Sequence, residues 1–443
     1  MSLSAVSLFS NCGAGDVGFR EAGFEFAVMA ELEQRRLDVA LLNHEGAVGV
    51  VGDLRETWGD VVEQYRSKFG DAPPDLLSAC PPCQGMSSAR SGMGGLDDPK
   101  AGSSDSRNLL VTVISQVAHA LKPRVIVVEN VQAFLSRRVF HPQDKNAVSA
   151  AQLLIGALSK DYRAFPIAAD LSLYGVPQAR KRAFITFVRR DEAFLLRLVG
   201  MKTTPYPQPA AGPRVNVVDA LASFGLPSLD ASSASAATDP VRGGMHSVPV
   251  WSPERYAMVA AIGIDSSAWA NSGCSSCGRL SPEPTDATCG GCGSPLLRPV
   301  ILEKGAYRLV KGFRTSYSRM KSSEPASTVT TASGHLGSDL TIHPTENRVL
   351  SPLECALLQT FPPDFNWGTS LKKYGSTFVR EMIGEAVPPM FTRLHGEVLA
   401  GLLSGNDDRL LGTQSAESSD SKRAHAVLVR VAQADHRPLV GLD

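Results

Sequence analysis

Within the first 190 residues, short runs of large apolar side chains alternate with amphipathic stretches, and that alternation leaves few folds open. Val6-Ser7-Leu8-Phe9, Glu25 to Ala30, Asp75 to Ala79 and Val125 to Val128 read as buried strands, each bounded by Gly, Pro or polar residues. Between the last two, Leu109 to Leu121 repeats apolar residues at helical spacing and stops before Lys122-Pro123. Strand–helix–strand units in this order predict an α/β fold with a doubly wound, mostly parallel, Rossmann-like sheet.

Residues 1–190 are therefore expected to form one catalytic domain. Residues 200–240 are rich in Pro, Ala and Ser and read as linker, opening a smaller inserted domain over 191–345. Helical patterns return in 346–404, which is expected to go back to the first domain. The Ser-rich segment 405–443 reads as a flexible tail. Lys+Arg and Asp+Glu both number 44, which excludes a disordered polyelectrolyte and a globally basic nucleic-acid binder. Any affinity for DNA or RNA must come from a local basic patch. No apolar run approaches a membrane span, no secretory leader is visible, and eight cysteines do not make a disulfide scaffold. A soluble, cytoplasmic protein without a membrane partner is expected.

Three features fall at successive strand ends. Phe9-Ser10-Asn11-Cys12-Gly13-Ala14-Gly15-Asp16-Val17-Gly18 follows the first strand, and its glycines permit a sharp turn and close approach to a ligand. Glu31 ends the second strand, where a carboxylate can accept from ribose hydroxyls; Asp53 ends the third and can accept from an adenine amino group. Taken singly, a carboxylate at a strand end is more often a helix cap or a solvated group. Together they point to a nucleoside ligand without separating NAD from S-adenosylmethionine. Pro81-Pro82-Cys83-Gln84-Gly85 follows the fourth strand and leads into a Gly/Ser-rich stretch, a setting that presents a thiol to a cleft. Cys12 and Cys80 read as packing residues. Glu129 emerges from an apolar strand, and Gln178, Arg180 and Arg182 share one face of an extended stretch.

Cys274-Ser275-Ser276-Cys277-Gly278 and Cys289-Gly290-Gly291-Cys292-Gly293 are two Cys-x-x-Cys-Gly knuckles, eleven residues apart, within 272–294. That spacing suits a closed four-cysteine structural Zn2+ site of the ribbon kind. Between Arg298 and Lys321 lie seven cations against one acid, Glu303, interleaved with Tyr307, Phe313 and Tyr317. This is a candidate DNA-contacting patch, with Arg308, Arg314 and Arg319 as its contacting arginines; a solvated basic face is the alternative.

In order, the Phe9–Gly18 loop, Pro82-Cys83-Gln84, Asp105 to Leu110, Glu129-Asn130-Val131 and Gln178-x-Arg180-x-Arg182 make the chain resemble the C5-cytosine DNA methyltransferase family, prokaryotic type. Glu324 to Val329, Arg348 to Glu354, Gln359-Thr360-Phe361-Pro362 and Gly384-Glu385-Ala386-Val387-Pro388-Pro389 complete the series. The resemblance implies methyl transfer from S-adenosylmethionine to C5 of a flipped-out cytosine in a specific sequence of double-stranded DNA. It implies Cys83 as the nucleophile at C6, Glu129 at N3 and Arg182 at O2, with Gln84 and Arg180 beside them. For the cofactor it implies Phe9, Asn11, Gly13, Gly15, Glu31, Asp53, Leu54, Pro82 and Leu110, and for DNA it adds Ser87 in the loop after Cys83. A restriction-modification or phage-defence setting follows, with a cognate restriction endonuclease or defence proteins as companions and a monomeric enzyme. The same resemblance leaves two alternatives: an RNA (tRNA) cytosine-5 methyltransferase, and a DNA-binding protein with a decayed cofactor pocket. Two departures stand out. Asn11 replaces the usual glycine, and Asn is the side chain that best tolerates positive φ. Glu385 replaces the usual asparagine, placing a carboxylate in a block associated with the carboxylate end of the cofactor.

Overall fold

The computed structural model describes residues 2–82, 109–140, 147–281, 283–312, 315–406, 412–434 and 440–442. Cys83, Gln84, Ser87 and Arg314 lie outside the described residues. The chain forms two compact units: Met1–Tyr174 with Lys181–Ala211 and Val387–Asp443, and Gly175–Arg180 with Gly212–Ala386.

The first unit opens with β1 (Leu3–Leu8), α1 (Ala14–Glu21), β2 (Phe24–Glu31), α2 (Gln34–Asn43), β3 (Val48–Val51), α3 (Leu54–Phe69) and β4 (Leu76–Ala79). Then come α4 (Val111–Leu121), β5 (Val125–Val131), a short hairpin of β6 (Arg138–Phe140) and β7 (Ala147–Ser149), α5 (Ala150–Leu158), β8 (Tyr162–Asp170) and β9 (Lys181–Arg189). Seven strands make one sheet in the order β3-β2-β1-β4-β5-β9-β8. The first five run parallel; at one edge β9 runs antiparallel to β5, and β8, antiparallel to β9, closes the edge. The α/β, mostly parallel expectation is met.

The order of strands explains where chemistry can sit. Chain order runs one way from β1 to β3 and the other way from β4 to β5, so the crevice outside the carboxyl ends of β1 and β4 is the switch point where open sheets bind ligands. The central strands are apolar on both faces, as expected of a sheet covered on both sides: Val6, Leu8, Val28, Ala30, Leu77, Ala79, Ile126 and Val128 are buried on one face, and Ala5, Met29, Leu76, Val125 and Val127 on the other. On α4, Val111, Ile114, Val117, Ala118 and Leu121 are buried at helical spacing, and Lys122 closes the helix in a left-handed conformation before Pro123.

The segment 405–443 departs from the expected flexible tail. Thr413–Ser415 pairs with Thr203–Pro207, and a helix spans Ser419–Ala434. Ala424 and Leu428 of that helix join the core, Asp420 accepts a 2.8 Å hydrogen bond from the Tyr174 hydroxyl, and Gly441 offers its carbonyl to Ala164. A Ser/Glu-rich start concealed an amphipathic helix whose apolar face begins only at Ala424. The second unit also extends past the expected boundary at 345, through helices Pro352–Leu358 and Ser370–Glu385. The first of these begins with a capping box between Ser351 and Glu354, and Glu354 is clasped by the buried Arg348 at 2.7 and 2.8 Å.

Candidate active site

The loop after β1 is held in an unusual shape. Phe9 and Asn11 have φ of 58° and 49°, and Gly13 has 75°. Asn accepts this conformation readily, as expected, whereas a phenylalanine does so only where its surroundings enforce it. The enforcement is visible. Ser10 donates its amide to the Ala30 carbonyl at 3.0 Å and lies 2.8 Å, hydroxyl to hydroxyl, from Ser7, which donates to the Asp16 carboxyl at 2.6 Å. Asp16 is buried, and burial pushes its pKa up to about 7. His44 packs beneath Gly13, with Nε2 2.9 Å from the Gly13 carbonyl; a Cβ on Gly13 would come within 2.9 Å of that ring. A Cβ on Gly15 would stand 3.1 Å from the Val387 side chain.

Glu31 ends β2 with its carboxylate aimed at the loop, accepting from the Asn11 amide at 2.8 Å and the Glu33 amide at 3.2 Å. Burial raises its pKa. Asp53 caps α3 by accepting from the Arg55 amide at 2.9 Å, and the Arg55 side-chain hydrogen bond holds its pKa down. Leu54 and Leu110 are buried, and Pro82 is half-buried. Two carboxylates and a strained Gly-containing loop thus line successive strand ends, a donor and acceptor set that suits a nucleoside carrying a ribose diol.

A second cluster sits at the ends of β4, β5 and β9. In the antiparallel register Val131 faces Arg182 and Glu129 faces Phe184, so Glu129 and Arg182 are diagonal neighbours on one face. Their side chains form a largely buried ion pair, Arg182 Nε to Glu129 Oε1 at 2.9 Å. Cys80 donates its thiol to the other carboxylate oxygen at 2.9 Å. Asn130 donates to the Pro81 carbonyl at 2.9 Å, fixing the chain as it leaves β4 toward position 83. Cys80 had read as a packing residue. Its place at the exit of β4 was visible in the sequence, but its partner was not.

Arg180 requires a correction. It lies in the second unit, fully buried, and donates to the carbonyls of Val329, Gly384 and Ala386 at 3.1, 2.9 and 2.8 Å. Gln178 is buried likewise, accepting from the Val329 amide and donating to Gln359. Alternation did place Gln178 and Arg180 inward, but a guanidinium bound to three carbonyls braces the Ala326–Val329 and Gly384–Ala386 segments and is not available to a base. Arg182, the next inward position, is the one on the first unit.

The model of the C-5 cytosine-specific DNA methylase family matches residues 3–399. The chain belongs to this family. It is a DNA cytosine-5 methyltransferase that uses S-adenosylmethionine. Type II methyltransferase M1.HgaI of Avibacterium volantium is 26% identical over 401 residues, covering 88% of this chain and 96% of that one. Type II methyltransferase M.AgeI of Thalassovita gelatinovora is 25% identical over 461 residues, covering 91% and 100%. Among solved structures, a prophage-encoded E. coli protein assigned as a DNA modification methyltransferase superposes with a TM-score of 0.55 at 21% identity, over 91% of this chain and all of that one. That likeness concerns the fold.

In the methyltransferase's second unit the four knuckle cysteines converge. All four sulfurs lie within 4.8 Å of one another; Cys274 and Cys292 are 3.5 Å apart, Cys277 and Cys289 3.7 Å. Tetrahedral zinc–sulfur bonds of about 2.3 Å would put sulfurs roughly 3.8 Å apart, so the set fits a metal of that size. Amides of Cys277 and Gly291 point at the Cys274 and Cys289 sulfurs. The Ser294 amide brings the Cys292 thiol down to about 6. Arg298, read as part of the basic patch, is buried and donates to carbonyls of Asn271, Ser281, Glu283 and Asp286, tying the loop between the knuckles.

Arg319 is a second correction. It is 4% exposed, and its guanidinium is taken by carbonyls of Ile262, His343, Glu346 and Val259 and by Asn347. Burial lowers its pKa, and it is internal to the unit, out of reach of a phosphate. Arg308 remains near the surface, paired with Glu303. Among the described residues no helix is long and apolar enough to cross a membrane.

Proposed function

We propose that this methyltransferase acts on a flipped-out cytosine through a covalent bond between Cys83 and C6, with Glu129 and Arg182 holding the ring. The observation that carries the reading is the Glu129–Arg182 pair, 2.9 Å apart at the ends of adjacent strands, beside the strand whose next residues lead through Pro81-Pro82 to Cys83. C5 of cytosine is a weak nucleophile. Thiolate addition at C6 converts the ring to an enamine, with negative charge relieved at N3 and O2. Glu129 is the group that meets N3, and Arg182 is the donor held where charge develops on O2. Cys80 donates to the Glu129 oxygen that Arg182 does not hold. A base inside a duplex cannot reach these groups, so the target must leave its stack.

Phe9, Asn11, Gly13, Gly15, Glu31, Asp53, Leu54, Pro82 and Leu110 are the residues that would hold S-adenosylmethionine, with Glu31 on the ribose diol and Asp53 on the adenine amino group. When bound, that cofactor supplies an electrophilic methyl. The four cysteines hold a structural Zn2+; four protein ligands leave no open position for catalysis. Relatives named as type II methyltransferases support a restriction-modification setting.

Oligonucleotides containing 5-fluorocytosine test the central step, because fluorine at C5 cannot be eliminated as a proton. With cofactor present, wild type should become irreversibly joined to the DNA through residue 83, and Cys83→Ser should bind DNA without trapping or turnover. Trapping that survives in Cys83→Ser would remove Cys83 from the role.

A further inference from the structure

In the second unit, Val300–Glu303 and Ala306–Leu309 form a hairpin that pairs Val300 with Leu309, Ile301 with Arg308, Leu302 with Tyr307 and Glu303 with Ala306. Its turn residues, Lys304 and Gly305, have φ of 51° and 82°, the two positive values of a tight hairpin turn that follows strand twist. Every residue from 301 to 307 is exposed. Side chains alternate across the ribbon. One face carries Ile301, Glu303, Ala306 and Arg308, with Arg308 ion-paired to Glu303. The other carries Val300, Leu302, Tyr307 and Leu309 and bears no charge. On that face Leu302 is 63% and Tyr307 39% exposed, directly opposite each other.

A two-stranded ribbon stabilises itself poorly in water, and this one presents an aliphatic–aromatic pair, Leu302 and Tyr307, to solvent beside exposed lysines. We infer that this hairpin enters the major groove of the DNA duplex, with Leu302 and Tyr307 against base edges and Lys304 at the tip contacting the backbone or a guanine edge. The inference rests on DNA being the substrate of this family member. Charge favours it: Glu303, the one acid between Arg298 and Lys321, is turned to the opposite face and neutralised by Arg308, while Lys304 and Lys311 are exposed. Size favours it too. The groove is about 12 Å wide and about 8.5 Å deep and admits a two-stranded ribbon, and a four-residue strand spans about 13 Å, so the Leu302–Tyr307 pair reaches the base edges. There an apolar side chain reads the thymine methyl. A second copy of this chain fits less well, because a face of two four-residue strands falls far short of the roughly 800 Å² per partner of a stable interface. Leu302 and Tyr307 are thereby specificity-determining residues; of the two, the sequence pattern had marked Tyr307 and not Leu302.

The test uses the full chain expressed in a methylation-free bacterium, with genome-wide mapping of 5-methylcytosine and methylation rates on duplexes carrying the mapped motif. Leu302→Ala/Tyr307→Ala should lose at least about tenfold in rate on that motif or relax it, as expected for lost base contacts. Cofactor binding by calorimetry and the melting temperature should stay at wild-type values. Leu196→Ala, which truncates an exposed leucine on the first unit, should leave motif and rate unchanged. Lys304→Asn keeps the turn chemistry and should reduce the slope of log K against log salt by about 1. Unaltered motif, rate and salt slope across these variants would overturn the assignment. So would loss of a concentration-dependent dimer on sedimentation with DNA methylation intact, which would make the face a contact between copies. Wild type that deposits no 5-methylcytosine would overturn the DNA reading itself, and the hairpin's role with it.

Discussion

Replacing Arg182 by methionine isolates the contribution of the Glu129 pair, because methionine retains much of the stem and loses the charge. The two side chains are 13% and 8% exposed and their charged atoms 2.9 Å apart. Removing one member of a buried pair costs about 3–5 kcal/mol, since the other charge is left without compensation. Arg182 is partly accessible and Cys80 still donates to Glu129 at 2.9 Å, so the low end, about 3 kcal/mol, applies here. For a unit of this size that corresponds to a fall of roughly 6–12 °C in melting temperature. Glu129→Gln removes the orphaned charge, so the Glu129→Gln/Arg182→Met double variant should recover most of the loss, giving a coupling of about 1–3 kcal/mol in a double-mutant cycle. Methyl transfer by Arg182→Met should drop about 10²–10³-fold, as when a donor to developing negative charge is deleted. Calorimetric melts of the four proteins and radiolabelled methyl transfer measure both. Arg182→Met melting within about 2 °C of wild type, with additive single effects, would refute the reasoning: the pair would be a surface contact without energetic consequence.

Two further outcomes follow from Asp16 and from the cysteine cluster. Asp16 is raised from 3.8 to about 7 by burial, so the folded state binds a proton that the unfolded chain has released; its contribution is present below pH 3.8 and lost as pH rises toward 7. That shift corresponds to about 4 kcal/mol, and Asp16→Asn should be more stable than wild type above pH 7, with the difference vanishing near pH 4; a difference that is flat with pH in paired melts would rule the account out. For the four sulfurs, a thiol-reactive displacement assay with a zinc-sensitive dye should release one equivalent per chain, and Cys289→Ser should release none and expose 272–294 to protease. An equal absence of metal in both proteins would show that the cluster is held by packing alone.

Much of the site could be read one-dimensionally because each element announces itself locally. A short apolar strand followed by Gly, Glu, Asp or Cys puts those residues at the ends of strands, and a doubly wound sheet places such ends on one edge; the positions of Phe9, Glu31, Asp53 and Glu129 in the fold needed nothing more. The Cys-x-x-Cys-Gly knuckles likewise carry their geometry in their spacing. The arginines did not. Arg180, Arg298 and Arg319 share charge and neighbourhood with Arg182 and Arg308, yet three of them are internal braces, each bonded to several carbonyls contributed by distant segments. A guanidinium presents five donors, and whether these meet solvent, substrate or backbone depends on which carbonyls the fold leaves without partners. The helix Ser419–Ala434 is of the same kind, since its apolar stripe becomes meaningful only when the edge beside β8 is there to receive it. Strand-end positions, capping boxes and the spacing of the four cysteines are thus determined by the amino-acid sequence over a few residues. Which cations are spent inside, and which segment closes the core, is decided by tertiary structure, because burial is a property of what lies opposite.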